Sequence, residues 1–209
     1  MSTKSLPDEP NLGVMPRYVL ELPFPETRIV VSSGFITDFT GSAIVNAANP
    51  RMLGGGGVDG AISRAGGDAL YKARQALPLQ ESPGAKPARC PTGKAVLTIG
   101  GDLPCPFCIH AVGPCYTHLS SLEEGDELLK SAYANSMAVA QGQSMTSVAF
   151  SLLSAGVYRG DRTLKEVLAI GVDEIVKAAY EGLEEVHLMA FLDKERDLLV
   201  ELLADRSTS

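Results

Sequence analysis

Two asparagines, a run of glycines and one aspartate follow a short apolar segment with the spacing of a ligand-binding site. Asn46 lies within the apolar segment Ala43–Ala47, and Asn49 lies just beyond it, ahead of the glycines and Asp59. Glycine has no Cβ and adopts positive φ, so a glycine run lets several backbone N–H groups turn toward one anion at a helix start. The pattern predicts a phosphate-binding loop of Gly54, Gly55, Gly56 and Gly57, with the helix following at Val58.

The polar side chains around this loop suit the remainder of a nucleotide-like ligand. An asparagine amide both donates and accepts hydrogen bonds, so we expect Asn49 to hold the vicinal hydroxyls of a ribose. Asn46 alternates toward the interior, and it either contacts the ligand or ties the loop to its own backbone. Asp59 stands at the start of the helix, where a carboxylate complements the helix dipole or acts on the ligand.

A second loop repeats this arrangement after another apolar run. It follows the segment at 147–152 and contains Ser154, Ala155, Gly156, Val157 and Tyr158. Gly156 permits close approach of the backbone to a ligand. Arg159 comes next and either contacts a phosphate or points into solvent.

Three stretches of the sequence resemble the macrodomain family. Ala-Ile-Val-Asn-Ala-Ala-Asn with Leu-Gly-Gly-Gly-Gly-Val-Asp-Gly is very nearly the family's motif around bound ADP-ribose, and Ile-His-Ala-Val-Gly-Pro at 109–114 and the second loop also match. The resemblance covers about residues 28 to 200. It implies that Asn49 and Asp59 are catalytic, with Asp59 positioning a water that attacks the anomeric carbon of the distal ribose. It also implies that Tyr158 packs against that ribose, and that no metal or redox cofactor is needed.

The sequence departs from the family pattern at two positions. Phe35 precedes Ile36 where the family usually has Gly-Asp-Ile-Thr, so the carboxylate that accepts a hydrogen bond from the adenine amino group is missing. Phe35 stacks on the base, or Asp38 substitutes from a shifted backbone; both residues 35 and 36 are expected at the ligand. Ser63 stands where many hydrolytic members carry His, which predicts a slower site or one tuned to another linkage.

Apolar periodicity predicts the elements that position these residues. Seven short β-type runs are expected at 18–22, 28–32, 43–47, 94–99, 107–112, 147–152 and 185–191, with helix-period segments after the third, fifth, sixth and seventh. Strands interleaved with helices predict a three-layer α/β/α sandwich with a mixed, mainly parallel sheet. Residues 1–16, with three prolines, are expected to form a flexible leader, and 17–206 a single macrodomain.

Composition narrows the class of protein. The chain has 209 residues, a formal net charge of −7 and a pI near 5.0, which disfavours binding of nucleic acid through clustered Lys and Arg. No apolar stretch approaches the length that spans a bilayer, and the N-terminus lacks a signal-peptide core. We expect a monomeric intracellular protein, cytoplasmic or nuclear, whose partner is ADP-ribose or an ADP-ribosylated protein.

Two further clusters have competing interpretations. The four cysteines Cys90, Cys105, Cys108 and Cys115 form a zinc site or, as the strand-like context favours, serve as core thiols. His110 is interpreted as a core histidine.

The leading functions are hydrolysis of mono-ADP-ribosyl groups and deacetylation of O-acetyl-ADP-ribose. The alternatives are a non-catalytic reader of ADP-ribosylated proteins and an ADP-ribose 1″-phosphate phosphatase.

Overall fold

Seven strands form one mixed sheet in the computed structural model, which describes residues 16–23, 25–80 and 86–207. The expected leader lies outside the described residues except for Pro16, which begins the first strand. The strands are β1 (Pro16–Pro23), β2 (Glu26–Ser33), β3 (Ala43–Ala47), β4 (Ala95–Ile99), β5 (Phe107–Ala111), β6 (Ser147–Ser151) and β7 (Glu185–Ala190). Each coincides with one of the expected runs.

The strand order is β1-β2-β7-β6-β3-β5-β4. The five inner strands from β2 to β5 run parallel to their neighbours, while β1 and β4 pair antiparallel at the two edges. The inner strands are short and apolar because helices cover both of their faces. The expected mixed, mainly parallel sheet is confirmed.

Three helices connect strands and a fourth follows β7: α1 (Gly57–Ala76), α2 (Leu122–Gly142), α3 (Leu164–Lys177) and α4 (Asp193–Ser207). Thr163 caps α3 in a complete capping box with Glu166. Ser121 caps α2 by accepting from the Glu124 amide, but the Glu124 carboxylate binds Ser120 instead of closing the box. No helix in the described part of the chain is long and apolar enough to cross a membrane.

The sheet separates two apolar layers. On one face α2, α3 and α4 pack against side chains such as Val45 and Phe150, and on the other α1 packs against Ile44. Neighbouring strand residues belong to opposite layers because side chains alternate along a strand. The expected three-layer α/β/α sandwich is confirmed.

Helix α1 bends sharply in its middle. Gly67 has φ 62° and ψ −161°, outside the helical range, so the helix runs in two differently directed segments. The bend frees the Gly66 carbonyl, which accepts a 3.0 Å hydrogen bond from the Asp102 amide in the β4–β5 turn. A Cβ on Gly67 would lie 2.1 Å from an Asp102 oxygen, so both the conformation and the close packing require glycine here.

Three of the four cysteines pack into apolar surroundings, and the fourth, Cys115, is half-buried. Cys105 and Cys108 belong to the layer beneath α1, and Cys90 packs with Met52 and Val112. Burial raises the pKa of Cys90 to about 12 and raises those of Cys105 and Cys108 as well, so these thiols stay protonated. This packing is that of core residues. Within the described residues no group of three or more His, Cys, Asp or Glu side chains could hold a metal ion.

Candidate functional site

A cleft of about 530 Å³ opens at the carboxyl ends of the parallel strands, which is a size typical of small-molecule sites. The segments that follow β2, β6 and β7 and the first turns of α1 form its walls. Its lining residues are Gly34, Phe35, Ile36, Thr37, Gly57, Val58, Ala61, Arg64, Ser151, Leu152, Ala155, Gly156, Met189, Phe191 and Glu195. Parallel strands bring these segments to one edge of the sheet, where ligands of such folds bind.

The sequence-predicted residues divide into two groups. Six of them line the cleft: Phe35, Ile36, Gly57, Val58, Ala155 and Gly156. The others are not part of its wall and lie within the two loops or beneath them: Asn46, Asn49, Gly54, Gly55, Gly56, Asp59, Ser154, Val157 and Tyr158. Their contacts with a ligand remain predictions.

The shape of the glycine loop, residues 54–57, depends on the backbone conformation of its glycines and on the buried side chain of Met52 that precedes it. Gly54 and Gly57 have φ of 86° and 55°, which favour glycine, and Met52 is fully buried below the loop. A Cβ on Gly56 would meet nothing within 4 Å, so the loop leaves open space at its outer side. The first N–H groups of α1 lack partners within the helix and carry its positive dipole end, so this junction suits an anion.

Asp59 lies underneath the glycine loop and not in the open cleft. It is 4% exposed, and its Oδ1 accepts a 2.8 Å hydrogen bond from the amide of Asn46. The guanidinium of Arg74 lies 2.9 Å from the same oxygen, while Oδ2 faces the Asn49 amide at 3.4 Å. A Cβ on Gly55 would lie 3.0 Å from Oδ2, so glycine at this position lets the loop pass closely over the carboxylate.

A buried polar chain supports Asp59 from below. The Asn46 amide nitrogen also lies 3.1 Å from His110 Nδ1, and His110 Nε2 lies 2.8 Å from Thr98 Oγ1. Because the amide donates, Nδ1 is the acceptor and the imidazole proton is on Nε2. Burial, reinforced by the Arg74 cation, lowers the pKa of His110 to about 3, so the ring is neutral. His110 is therefore a hydrogen-bonded core residue that connects to the site through Asn46.

The loop-tying role considered for Asn46 belongs to Asn49 in the structure. Asn49 ties the loop, since its Nδ2 donates to the Gly54 carbonyl at 2.8 Å and its Oδ1 accepts from the Arg51 amide at 3.1 Å. Asn46 is fully buried and binds side chains instead of the loop backbone. Its Oδ1 has no partner among the described residues. The alternative in which Asn46 ties the loop to its own backbone was wrong, because its amide nitrogen binds Asp59 and His110.

The second loop, residues 154–158, is pinned at its base and open at its tip. Ser154 has φ 54° and its hydroxyl donates to the Pro114 carbonyl at 2.7 Å, while the Leu153 amide donates to Tyr133 Oη at 3.0 Å. Val157 is 90% exposed and Tyr158 42%. A buried base with an exposed tip leaves these two side chains accessible to a ligand.

Aromatic side chains occupy the end of the cleft where the family's acid is missing. Phe35 is 63% exposed, and its ring lies 6.4 Å from that of Phe191, which follows β7 and is 74% exposed. Asp38 is not in the cleft wall; Glu195 of α4 carries the one carboxylate among the lining residues. Its Oε2 accepts 2.9 Å hydrogen bonds from the amides of Phe191 and Leu192.

Several residues of the site were not identified from the sequence. They include the cleft-lining residues Ala61, Arg64, Met189, Phe191 and Glu195, and Arg74 beneath the glycine loop. Arg74 falls four residues after Leu70 and three before Leu77, so its position on the buried stripe of α1 could have been noticed. Glu195 lies in the first turn of α4, where an acid is ordinary.

Comparisons with known proteins agree with this geometry. Residues 45–167 match the Macro domain family. The O-acetyl-ADP-ribose deacetylase of Escherichia coli K12 is 39% identical over 181 residues, which are 87% of this chain and 98% of that protein. A macro domain-containing protein of Cupriavidus necator is 42% identical over 177 residues, 85% of this chain and 98% of that protein.

Solved structures give the same result. The Oceanobacillus iheyensis macrodomain with ADP has a TM-score of 0.78 and 31% identity, covering 90% of this chain and 96% of that one. The Trypanosoma brucei macrodomain in complex with ADP-ribose has a TM-score of 0.69 and 30% identity, covering 83% and 68%. With the family match spanning more than half of the sequence and relatives aligned over nearly their whole length, the chain belongs to the macrodomain family.

Proposed function

We propose that this protein binds ADP-ribose and hydrolyses an ester of it, with O-acetyl-ADP-ribose or a mono-ADP-ribosylated protein as substrate. The observation that carries the proposal is the placement of Asp59. Its carboxylate is fixed through Oδ1 by Asn46 and Arg74, while Oδ2 faces the underside of the glycine loop. An oriented carboxylate next to an anion-binding loop suits the activation of water beside a bound diphosphate.

Binding in this proposal uses both loops. The diphosphate lies between the glycine loop and Gly156, where neither Gly56 nor Gly156 has an atom within 4 Å of a built Cβ. The base lies between Phe35 and Phe191, whose exposed rings offer an apolar surface. The distal ribose lies toward Tyr158 and Asn49, close to Asp59.

The reaction then needs one water and one base. For O-acetyl-ADP-ribose, Asp59 Oδ2 accepts a proton of the water as its oxygen bonds to the acetyl carbonyl carbon. The ester C–O bond breaks, and the proton passes to the departing ribose oxygen, giving ADP-ribose and acetate. For a mono-ADP-ribosyl protein the water attacks the anomeric carbon as Asp59 Oδ2 accepts its proton. The bond from that carbon to the carboxylate oxygen of the protein breaks, the carboxylate leaves, and Asp59 then releases the proton to solvent. No metal or redox cofactor takes part in this scheme.

The burial of Asp59 favours a second candidate, a non-catalytic reader of ADP-ribosylated proteins. A carboxylate that is 4% exposed and already paired with a cation and two amides can be a purely structural support of the loop. In that case the protein binds ADP-ribose and leaves the modified protein intact. This proposal, like the first, treats the protein as a monomer acting inside the cell.

One experiment separates the two candidates. Wild-type protein, Asp59→Asn and Asp38→Asn are incubated with O-acetyl-ADP-ribose and with a mono-ADP-ribosylated protein, and free ADP-ribose is followed by chromatography. Asp38 is a matched control because it is an exposed acid outside the cleft wall. Turnover by wild type and Asp38→Asn that Asp59→Asn loses supports hydrolysis. Binding of ADP-ribose without turnover by any of the three supports the reader.

A further inference from the structure

Arg74 is a buried cation whose contacts all lead to one residue. Its side chain is 1% exposed, and its Nη2 lies 2.9 Å from Asp59 Oδ1. Its Nη1 donates a 2.7 Å hydrogen bond to Ser63 Oγ, and that hydroxyl in turn donates at 2.7 Å to the main-chain carbonyl of Asp59. The guanidinium therefore holds Asp59 at two points, at its carboxylate directly and at its backbone through Ser63.

The contact exists only because α1 is bent. Asp59 is in the first turn of α1 and Arg74 in the last, so in a straight helix they would lie about 22 Å apart along the axis. The break at Gly67, held by the hydrogen bond from the Asp102 amide to the Gly66 carbonyl, redirects the second segment. The side chain of Arg74, on the buried face of that second segment, therefore lies close to the start of the helix.

We propose that Arg74 is a positioning residue for Asp59: it occupies Oδ1 and leaves Oδ2 to address the attacking water. This inference rests on the proposed hydrolytic function. An ionised carboxylate under the glycine loop faces the repulsion of a bound diphosphate, and a cation in direct contact offsets it. Asn46 contributes a hydrogen bond to the same oxygen but no charge.

The proposal also gives Ser63 a role. Its hydroxyl connects the guanidinium to the backbone of Asp59, so it fixes where the carboxylate stands without changing the local charge. Arg74 Nη2 has no well-aligned hydrogen bond among the described residues despite its short distance to Oδ1, so the contact with Oδ1 is mainly one of charge. Arg74 thus acts on Asp59 mainly through its charge, and Ser63 acts through orientation. Different variants can test the two effects.

The test compares Arg74→Met, Arg74→Lys and Ser63→Ala with wild type on the better of the two substrates. We expect Arg74→Met to lower kcat by on the order of 10- to 100-fold with KM changed by less than about threefold. Arg74→Lys retains the positive charge and should recover part of kcat relative to Arg74→Met. Ser63→Ala should lower kcat with KM little changed.

Controls distinguish this role from simple loss of fold. Lys72→Met removes a cation from the exposed side of the same helical segment and should leave kcat and KM unchanged. Circular dichroism shows which variants are folded; if Arg74→Met is not, Arg74→Lys and Ser63→Ala carry the test, since a positioning role lowers kcat in both while KM changes little.

The outcomes are distinct. A folded Arg74→Met with wild-type kcat, while Asp59→Asn is inactive, overturns the inference and leaves the proposed function standing. Losses of kcat that follow lost stability in all three variants, with no recovery of kcat in Arg74→Lys over Arg74→Met, make the residue merely structural. Absence of turnover in wild type on both substrates removes the proposed function, and the inference with it.

Discussion

Asp59 and Arg74 form a 2.9 Å ion pair in which neither side chain is more than 6% exposed. The charges are taken out of water at opposite ends of one bent helix, beneath the loop that is proposed to bind phosphate. Charges so buried are costly unless each compensates the other, and breaking such a pair costs more than forming it contributes. The ion pair is therefore a stability feature of the protein as well as a feature of the candidate site.

We predict that Arg74→Met lowers the free energy of unfolding by about 3–5 kcal/mol, because it leaves the Asp59 carboxylate buried without its counter-charge. Urea denaturation followed by circular dichroism measures this. Lys72→Met, which removes an exposed cation from the same segment, should change the value by less than about 0.5 kcal/mol. A loss in Arg74→Met no larger than that of the control would show that the pair contributes nothing net.

Binding at the glycine loop can be tested without any assumption about catalysis. ADP-ribose should raise Tm in a concentration-dependent way, since a ligand at 100 times its Kd stabilises the folded state by about 2.7 kcal/mol. Gly56→Glu should abolish this shift, because it introduces bulk and negative charge at the expected diphosphate position. Gly56 has φ −90° and open space, so the fold itself should tolerate the change.

Gly142→Glu is the matched control for this prediction. Gly142 ends α2, far from the cleft wall, and a Cβ there also meets nothing within 4 Å. The shift with ADP-ribose should persist in this variant. An undiminished shift in Gly56→Glu would place the ligand elsewhere.

The buried imidazole of His110 predicts a pH dependence of stability. Burial and the Arg74 cation lower its pKa to about 3, below its ordinary value near 6.5, so the unfolded chain binds the proton more readily. The contribution is fully present above about pH 6.5 and falls as the pH drops toward 3, by up to about 1.4 kcal/mol per unit. Urea unfolding at pH 7, 5.5 and 4.5 should show a shallower decline for His110→Gln than for wild type. The exposed His118→Gln should decline as wild type does.

The sequence was sufficient for the fold because the signals were local and agreed with one another. Each strand run was short and apolar, and each coincides with a strand of the sheet. The position of the two loops could be anticipated as well, because each follows a predicted parallel strand and parallel strands bring their carboxyl ends to one edge of the sheet.

The support of Asp59 could not be predicted because it depends on geometry between segments. Arg74 reaches Asp59 only through the bend at Gly67, and nothing in the periodicity of α1 signals a change of direction. Gly66-Gly67 was a hint, but the bend is stabilised by Asp102, which is distant in sequence. Glu195 likewise enters the cleft wall because α4 begins beside the end of β2, a relation fixed by sheet order.

The end of the cleft that is proposed to bind the base should discriminate little between adenine and hypoxanthine. Phe35 replaces the acid that reads adenine in the family, so ADP-ribose and its inosine counterpart should bind within a few-fold of each other. Restoring the acid with Phe35→Asp should favour adenine by about tenfold or more, since a charge-assisted hydrogen bond contributes roughly 1.5–3 kcal/mol. Isothermal titration of both ligands against both proteins measures this. A strong adenine preference in wild type would point to Glu195, and Glu195→Gln would then reduce it.

The last prediction concerns Ser63, where many hydrolytic relatives have His. Introducing that imidazole might be expected to raise the rate, but the Ser63 hydroxyl lies 2.7 Å from both Arg74 Nη1 and the Asp59 carbonyl. A ring at this position must displace the guanidinium from its buried site. We therefore expect Ser63→His alone to lower Tm and to leave kcat at or below the wild-type value.

Shortening the arginine should relieve this conflict, because Ser63→His with Arg74→Ala offers the imidazole the vacated space beside Asp59. Thermal melts and turnover of the two single variants, the double variant and wild type form a double-mutant cycle. The double variant should be more stable than the sum of the single effects predicts, by more than about 1 kcal/mol, because the two positions share one space. Additive effects would mean that the side chains do not compete. A faster and equally stable Ser63→His single variant would show that Asp59 does not need the guanidinium where the structure has it.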